Sequence, residues 1–132
     1  MMMRGHFDEQ EQPTLPVKLT GPYGTIEVTL VVDTGFSSDV CIPIQFAIAL
    51  GLPLKGRASI ELADGSINKE FVFRGNAQLG NLPPRDVDVY LTESEYGLIG
   101  AGMFQDMKLE IDYGRRTVAL KPTRKEASIW QS

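Results

Sequence analysis

The stretch LVVDTGFSSDVCIP, residues 30–43, decides how the whole chain is read. Leu30-Val31-Val32 is built for a buried strand, yet it runs straight into a carboxylate, a hydroxyl and a glycine. Burying an unpaired carboxylate is costly, because desolvation disfavours the charged form. Asp33 therefore requires hydrogen-bond donors, a shared proton or solvent, and which of these it has determines the function.

Working outward, the surroundings read as β-structure. LPVKLTG and TIEVTLVVDTG are rich in Val, Ile, Leu and Thr, and Gly21-Pro22-Tyr23-Gly24 punctuates them, which predicts a hairpin leading into the buried strand. IPIQFAIALGLP follows, with Pro43 suited to a first helical position and Gly51 to a stop, so a short helix is expected. RASIELADGSINKEFVFRGNAQLG reads as two long strands joined at Asp64-Gly65, residues that tolerate positive φ, with the tip projecting into solvent. DVDVYLT alternates as a strand. YGLIGAGMFQDM passes from a short apolar strand through Gly100 into a second expected helix carrying Met103, Phe104 and Met107 as core residues. LEIDYGRRTVAL closes the pattern as a hairpin turning at Tyr113-Gly114-Arg115, and its Glu110 and Asp112, like Asp106 before them, read as solvated surface carboxylates. About seven strands and two short helices define an all-β class. The domain is expected over residues 15–121, between a polar N-terminal tail (1–14) and a C-terminal tail (122–132) in which Ile129 and Trp130 are the apolar exceptions.

Length and composition exclude much. At 132 residues the chain fits one domain with a real core. A hydrophobic share of 42% and a charged share of 23% are ordinary for a soluble globular protein, and a net charge of -4 shows no basic excess, so no nucleic-acid partner is expected. VCIPIQFAIALGLPL, residues 40–54, is interrupted by Pro43, Gln45, Gly51 and Pro53 and is too short to span a membrane. The N-terminal residues lack the apolar stretch of a secretory signal, and one cysteine forms no intrachain disulfide, so a cytoplasmic location is expected. The single histidine, His6, lies in the polar leader, far from Ser or Cys partners, and Cys41 reads as a small buried apolar residue. Metal ligands of the His/Cys kind are too few, and Asp33, Asp39 and Asp64 lack EF-hand spacing, so no metal is expected. Neither GxxxxGK[ST] nor GxGxxG occurs, and no cofactor is expected. Carboxylates remain.

Asp33-Thr34-Gly35 at the end of an apolar strand resembles the active-site loop of the aspartic proteases. A strand ending in these residues is also a plain turn, with Asp capping its own backbone. Three further elements in chain order argue against that: a helix directly after the loop, a hairpin tipped by Ala63-Asp64-Gly65-Ser66, and Leu98-Ile99-Gly100 opening a late helix. Over residues 15–121 the chain resembles the single-lobe, retropepsin-like aspartic proteases, and is most similar to their small prokaryotic members. The resemblance implies a closed-barrel fold, a peptide or protein substrate, and catalysis by two carboxylates sharing one proton around a water. Asp-Thr-Gly occurs once, so one chain holds half a site and a twofold homodimer is implied, each copy supplying Asp33.

The resemblance also assigns supporting roles. Thr34 would bond across the twofold axis, Gly35 would let substrate backbone approach, and Ala63 to Ser66 would form a flap over the peptide. Leu98, Ile99 and Gly100 would pack behind the loop. Phe36 departs from the pattern, since relatives commonly carry Ala or Ser there; Ser37 is the nearest hydroxyl that could replace the missing donor. Asp39 stands later than the substrate-binding acids of retroviral members, and Ala101 occupies the place of an arginine that braces their dimer. A dimeric peptide-binding module without hydrolysis, from a different functional class, is the alternative that Phe36 favours.

Overall fold

In the computed structural model, which describes residues 2–61 and 63–123, the elements run β1 (Met3–Phe7), β2 (Pro13–Gly21), β3 (Gly24–Asp33), β4 (Val40–Pro43), α1 (Ile44–Leu50), β5 (Leu54–Glu61), β6 (Ile67–Gln78), β7 (Arg85–Thr92), β8 (Leu98–Gly100), β9 (Met107–Asp112) and β10 (Thr117–Pro122). A 3-10 turn, Ala101–Phe104, follows β8. The chain is mostly β, in a sheet ordered β5-β6-β7-β4-β8-β3-β2-β1-β10-β9.

The hairpin around Gly21 and Gly24 forms as its sequence predicts. β2 and β3 pair antiparallel from Thr14↔Val31 to Gly21↔Gly24, which brings Leu15 opposite Leu30 and Val17 opposite Val28. These four face the core and are buried, each such side chain contributing roughly 1.5–3 kcal/mol of burial. The free edge of β2 is then shared: residues near Thr14 pair with β1, and Lys18 to Thr20 pair with β6. Because β6 also pairs with β7, the strands β6, β7, β4, β8, β3 and β2 make a hydrogen-bonded circuit that returns to its start.

The short helix also forms, over Ile44–Leu50, with one shift at its start. Pro43 is the residue preceding the helix, extended at φ -55 and ψ 142, and it closes β4. Gly51 ends the helix in the left-handed region at φ 65, donating its N–H to the Ile48 carbonyl. Ala47 and Leu50 are buried while Ile44 and Ile48 face outward.

Three expectations are corrected. The polar leader is not a tail through its first half, because Met3–Phe7 forms β1, with Met3 buried, paired to both β10 and β2. The second helix is a single 3-10 turn; Met103 is buried in it, but Met107 opens β9 instead of continuing a helix. Among the described residues ten strands stand where about seven were expected, and β1 and β4 are two that the sequence reading did not name. Pro122 still belongs to β10, one residue into the expected C-terminal tail, and the rest of that tail from residue 124, with Ile129 and Trp130, lies outside the described residues. Among the described residues no helix is long and apolar enough to cross a membrane.

Candidate active site

Asp33 is the last residue of β3, where the apolar run reaches the end of the sheet, and its side chain is half-buried. The strand holds it from one side: β8 runs parallel to β3, with Val31 beside Leu98, Val32 beside Ile99 and Asp33 beside Gly100. β8 in turn lies antiparallel to β4, so the two ends of the Asp33 loop are pinned to one short central strand. Leu98, Ile99 and Gly100 therefore sit directly against the loop.

Within the loop, Asp33 accepts the Gly35 N–H on Oδ1 at 3.0 Å, and its carbonyl accepts the Phe36 N–H at 3.1 Å. The following backbone is tied to the turn after β8. Ala101 N–H donates to the Phe36 carbonyl at 2.8 Å, Gly102 N–H to the Ser38 carbonyl at 3.0 Å, and Gly100 N–H to the Asp39 carbonyl at 2.8 Å. This fixes the backbone while leaving Thr34, Gly35 and Ser37 exposed. Phe36 turns its ring edge-on to Tyr90, 5.7 Å between centroids at 86°, an arrangement favoured by the ring quadrupoles. Among the described residues the Ser37 hydroxyl makes no hydrogen bond to Asp33, so it does not replace the donor that Phe36 lacks.

Asp39 is not free for substrate. Its Oδ1 accepts from Arg85 at 3.1 Å and its Oδ2 from the Asp88 N–H at 2.9 Å, while Arg85 also donates to the Gly102 carbonyl at 3.1 Å. One carboxylate thus clamps the end of the loop to β7 and to the 3-10 turn. Arg85 was not foreseen, and a pair 46 residues apart leaves no signal of spacing or period by which to find it.

The second candidate element is the β5–β6 hairpin. From Arg57↔Phe71 to Glu61↔Ile67 its arms pair only with each other, because β6 meets β7 from Phe73 onward. The pair of arms thus reaches past the body of the sheet. At the tip, Gly65 has φ 85, and Asp64 Oδ1 accepts both the Ser66 hydroxyl at 2.6 Å and the Ser66 N–H at 2.9 Å. Those bonds, the hydroxyl first, hold the Asp64 carboxyl below its ordinary range. Ala63, Asp64, Gly65 and Ser66 are all exposed.

Among the described residues no group of three or more His, Cys, Asp or Glu is arranged to hold a metal ion. The chemistry at hand is one carboxylate on a braced loop with an open rim. A mainly β domain that ends an inner strand in Asp-Thr-Gly, supports it with a Leu-Ile-Gly strand and sends out a long hairpin is the fold of the retropepsin-like aspartic proteases. The family model for Aspartyl protease matches residues 15–103, about two thirds of the sequence, and the chain belongs to that family. Among solved structures, a retropepsin-like aspartic protease from Rickettsia conorii is similar in fold, with a TM-score of 0.62 and 16% identity over 92% of this chain and 91% of that one. No curated protein matches the sequence significantly.

Proposed function

We propose that the protein is an aspartic endopeptidase acting as a homodimer, in which Asp33 of one protomer stands beside Asp33 of its partner. The observation that carries this reading is the single braced carboxylate on an exposed Thr34-Gly35 rim, in a chain of the aspartyl protease family. Two such carboxylates hold a water between them; the ionised one takes a proton as the water attacks the peptide carbonyl, and the protonated one gives a proton to the developing oxyanion. The returning circuit of strands is then a closed barrel, and the β5–β6 hairpin is its flap. β1 is already paired on both edges within the chain, so the proposed dimer meets through the Asp33 loops and needs no exchange of that strand.

Light scattering coupled to gel filtration tests the assembly, together with hydrolysis of a peptide library by the same fraction. A dimer that cleaves peptides is expected. A strict monomer that cleaves them would sink the paired mechanism, and a dimer that binds peptides without cleaving any would favour the binding module.

A flap role makes a separate prediction at Gly65. A Cβ built there meets nothing within 4 Å, so the only penalty of Gly65→Val is conformational, roughly 1–2 kcal/mol for a side chain at positive φ. That cost falls on the hairpin tip, away from the core. Turnover should drop about tenfold while the melting temperature falls by no more than about 3–7 °C, the shift a penalty of that size allows; a Gly65→Val protein as active as its parent would remove the hairpin from the mechanism.

A further inference from the structure

Phe36 donates its N–H to the Asp33 carbonyl at 3.1 Å, so its ring is carried by the same turn as the carboxylate. The ring lies against β8. A Cβ built on Gly100 would come within 2.6 Å of it, and Gly100 is the residue that pairs with Asp33 in parallel register. Residues directly opposite in neighbouring strands point to the same face, so the ring covers the face of the sheet from which the Asp33 side chain projects. Phe36 is only half-buried, and part of its surface stays open to a ligand.

On its other side the ring is held by Tyr90, met edge-on with 5.7 Å between centroids. Tyr90 in turn lines a cavity of about 280 Å³, together with Gly56, Ala58, Val72 and the ion-paired Lys55 and Asp88. The two rings thus divide the floor of the site. Beside Asp33 the space over Gly100 is filled by Phe36, whereas beyond Tyr90, between β7 and the base of the hairpin, it is open.

Resting on the endopeptidase reading, we infer that Phe36 is a specificity-determining residue: the substrate side chain that lies over its ring is a small one, Gly, Ala or Ser, and larger side chains at that position are shut out by overlap. The position follows from strand geometry. The ring is held against Gly100, one strand or about 4.8 Å from Asp33, and an extended peptide advances about 3.3 Å per residue, so the restricted position lies within about two residues of the scissile bond. Tyr90 is a positioning residue, standing between the ring and the cavity into which the ring would otherwise turn.

The test is a panel of peptides identical except for Gly, Ala, Val, Leu or Phe at each of the two positions on either side of a cleaved bond, read as kcat/KM for the parent, Phe36→Ala, Phe36→Leu and Tyr90→Ala. At one position the parent should prefer Ala to Leu and Phe by about tenfold to a hundredfold, the discrimination that a few surplus methylenes produce in a filled site. Phe36→Ala should erase or reverse that ratio at the same position and leave the ratios elsewhere in place. Tyr90→Ala, which frees the ring to turn into the cavity, should reduce it part-way. Phe36→Leu keeps apolar bulk in the loop and should relax the ratio at least severalfold, which decides the matter if Phe36→Ala does not fold. A merely structural role for the ring would lower kcat/KM for every peptide alike and change no ratio. A second arm measures binding of the same labelled peptides by fluorescence anisotropy to the Asp33→Asn protein, with and without Phe36→Ala. A preference for the small residue that is lost with the ring supports Phe36 even where no hydrolysis is found. A parent that takes Leu as readily as Ala at all of these positions, or Phe36 variants that keep the parent's ratio, would overturn the assignment and leave the peptidase standing; no binding and no turnover by any of the proteins would overturn both.

Discussion

If the protein is the proposed peptidase, Asp33→Asn is expected to lower peptide hydrolysis by roughly a thousandfold or more, with the fold and the proposed dimer intact. The separation of the two effects follows from how the side chain is held. Asp33 accepts one in-chain hydrogen bond, from the Gly35 N–H to Oδ1, and an asparagine carbonyl in the same place accepts it equally. The other contacts that shape the loop do not involve the Asp33 side chain: Phe36 to the Asp33 carbonyl, Ala101 to Phe36 and Gly102 to Ser38 are backbone to backbone, and the clamp at the loop's end is made by Asp39. What the amide loses is the ionisable carboxyl proton, which it can neither give nor take in general acid–base catalysis. Peptide hydrolysis by both proteins, with circular dichroism and gel filtration on the same samples, checks the prediction. Equal hydrolysis would refute an aspartyl mechanism, and an unfolded variant would mean that Asp33 does more for the loop than one hydrogen bond.

Local signals in the sequence were enough for the elements whose partners are near in the chain. Gly21 to Gly24 gave the β2–β3 turn, Asp64-Gly65 the tip of the long hairpin, Tyr113 to Arg115 the turn between β9 and β10, and Gly51 the end of the helix. Each is a case where a residue's own backbone preference dictates the shape. β1 was missed for the opposite reason. Its five residues, MRGHF, are too few for a periodic pattern, and the partner that covers Met3 is Leu120, at the other end of the chain. β4 was hidden because Val40 to Pro43 abuts the helical pattern, and its pairing with β7 is parallel and remote. The expected helix after Gly100 carried apolar residues at helical spacing, but Asp106 takes a left-handed conformation at φ 59, and the chain reverses into β9 before a second turn can form.

At the site the same division holds. Asp33, its loop and Leu98 to Gly100 were legible because consecutive residues carry them. The Asp39–Arg85 clamp and the Phe36–Tyr90 contact depend on register between distant strands. Asp39 could be read from sequence only as an acid out of place; the structure gives it a bracing role through Arg85 where Ala101 supplies no cation.

Gly100→Ala is expected to be among the most damaging small substitutions in the chain, removing roughly 3 kcal/mol or more of stability and lowering the melting temperature by about 10 °C. The backbone there is extended, at φ -99 and ψ 174, so conformational strain is not the cause. The cause is proximity. A Cβ at Gly100 would lie 2.3 Å from the Ser38 carbonyl oxygen and 2.6 Å from both the ring and the carbonyl oxygen of Phe36. Carbonyl oxygens cannot swing aside as a flexible side-chain end can, so the loop from Phe36 to Ser38 would have to move as a piece. That movement pulls on the two hydrogen bonds that tie it to Ala101 and Gly102, on the neighbouring one from Gly100 to the Asp39 carbonyl, and with them on the position of Asp33. Gly56→Ala is the control, because a Cβ there meets nothing within 4 Å and no positive φ is required. Thermal melts of the two alanine variants, with peptide hydrolysis measured well below both transitions, separate the effects. Gly56→Ala should match the parent in stability, whereas Gly100→Ala should lose activity even where it remains folded, because its loop is displaced. A Gly100→Ala protein as stable and as active as the parent would mean that β8 does not hold the Asp33 loop by close approach.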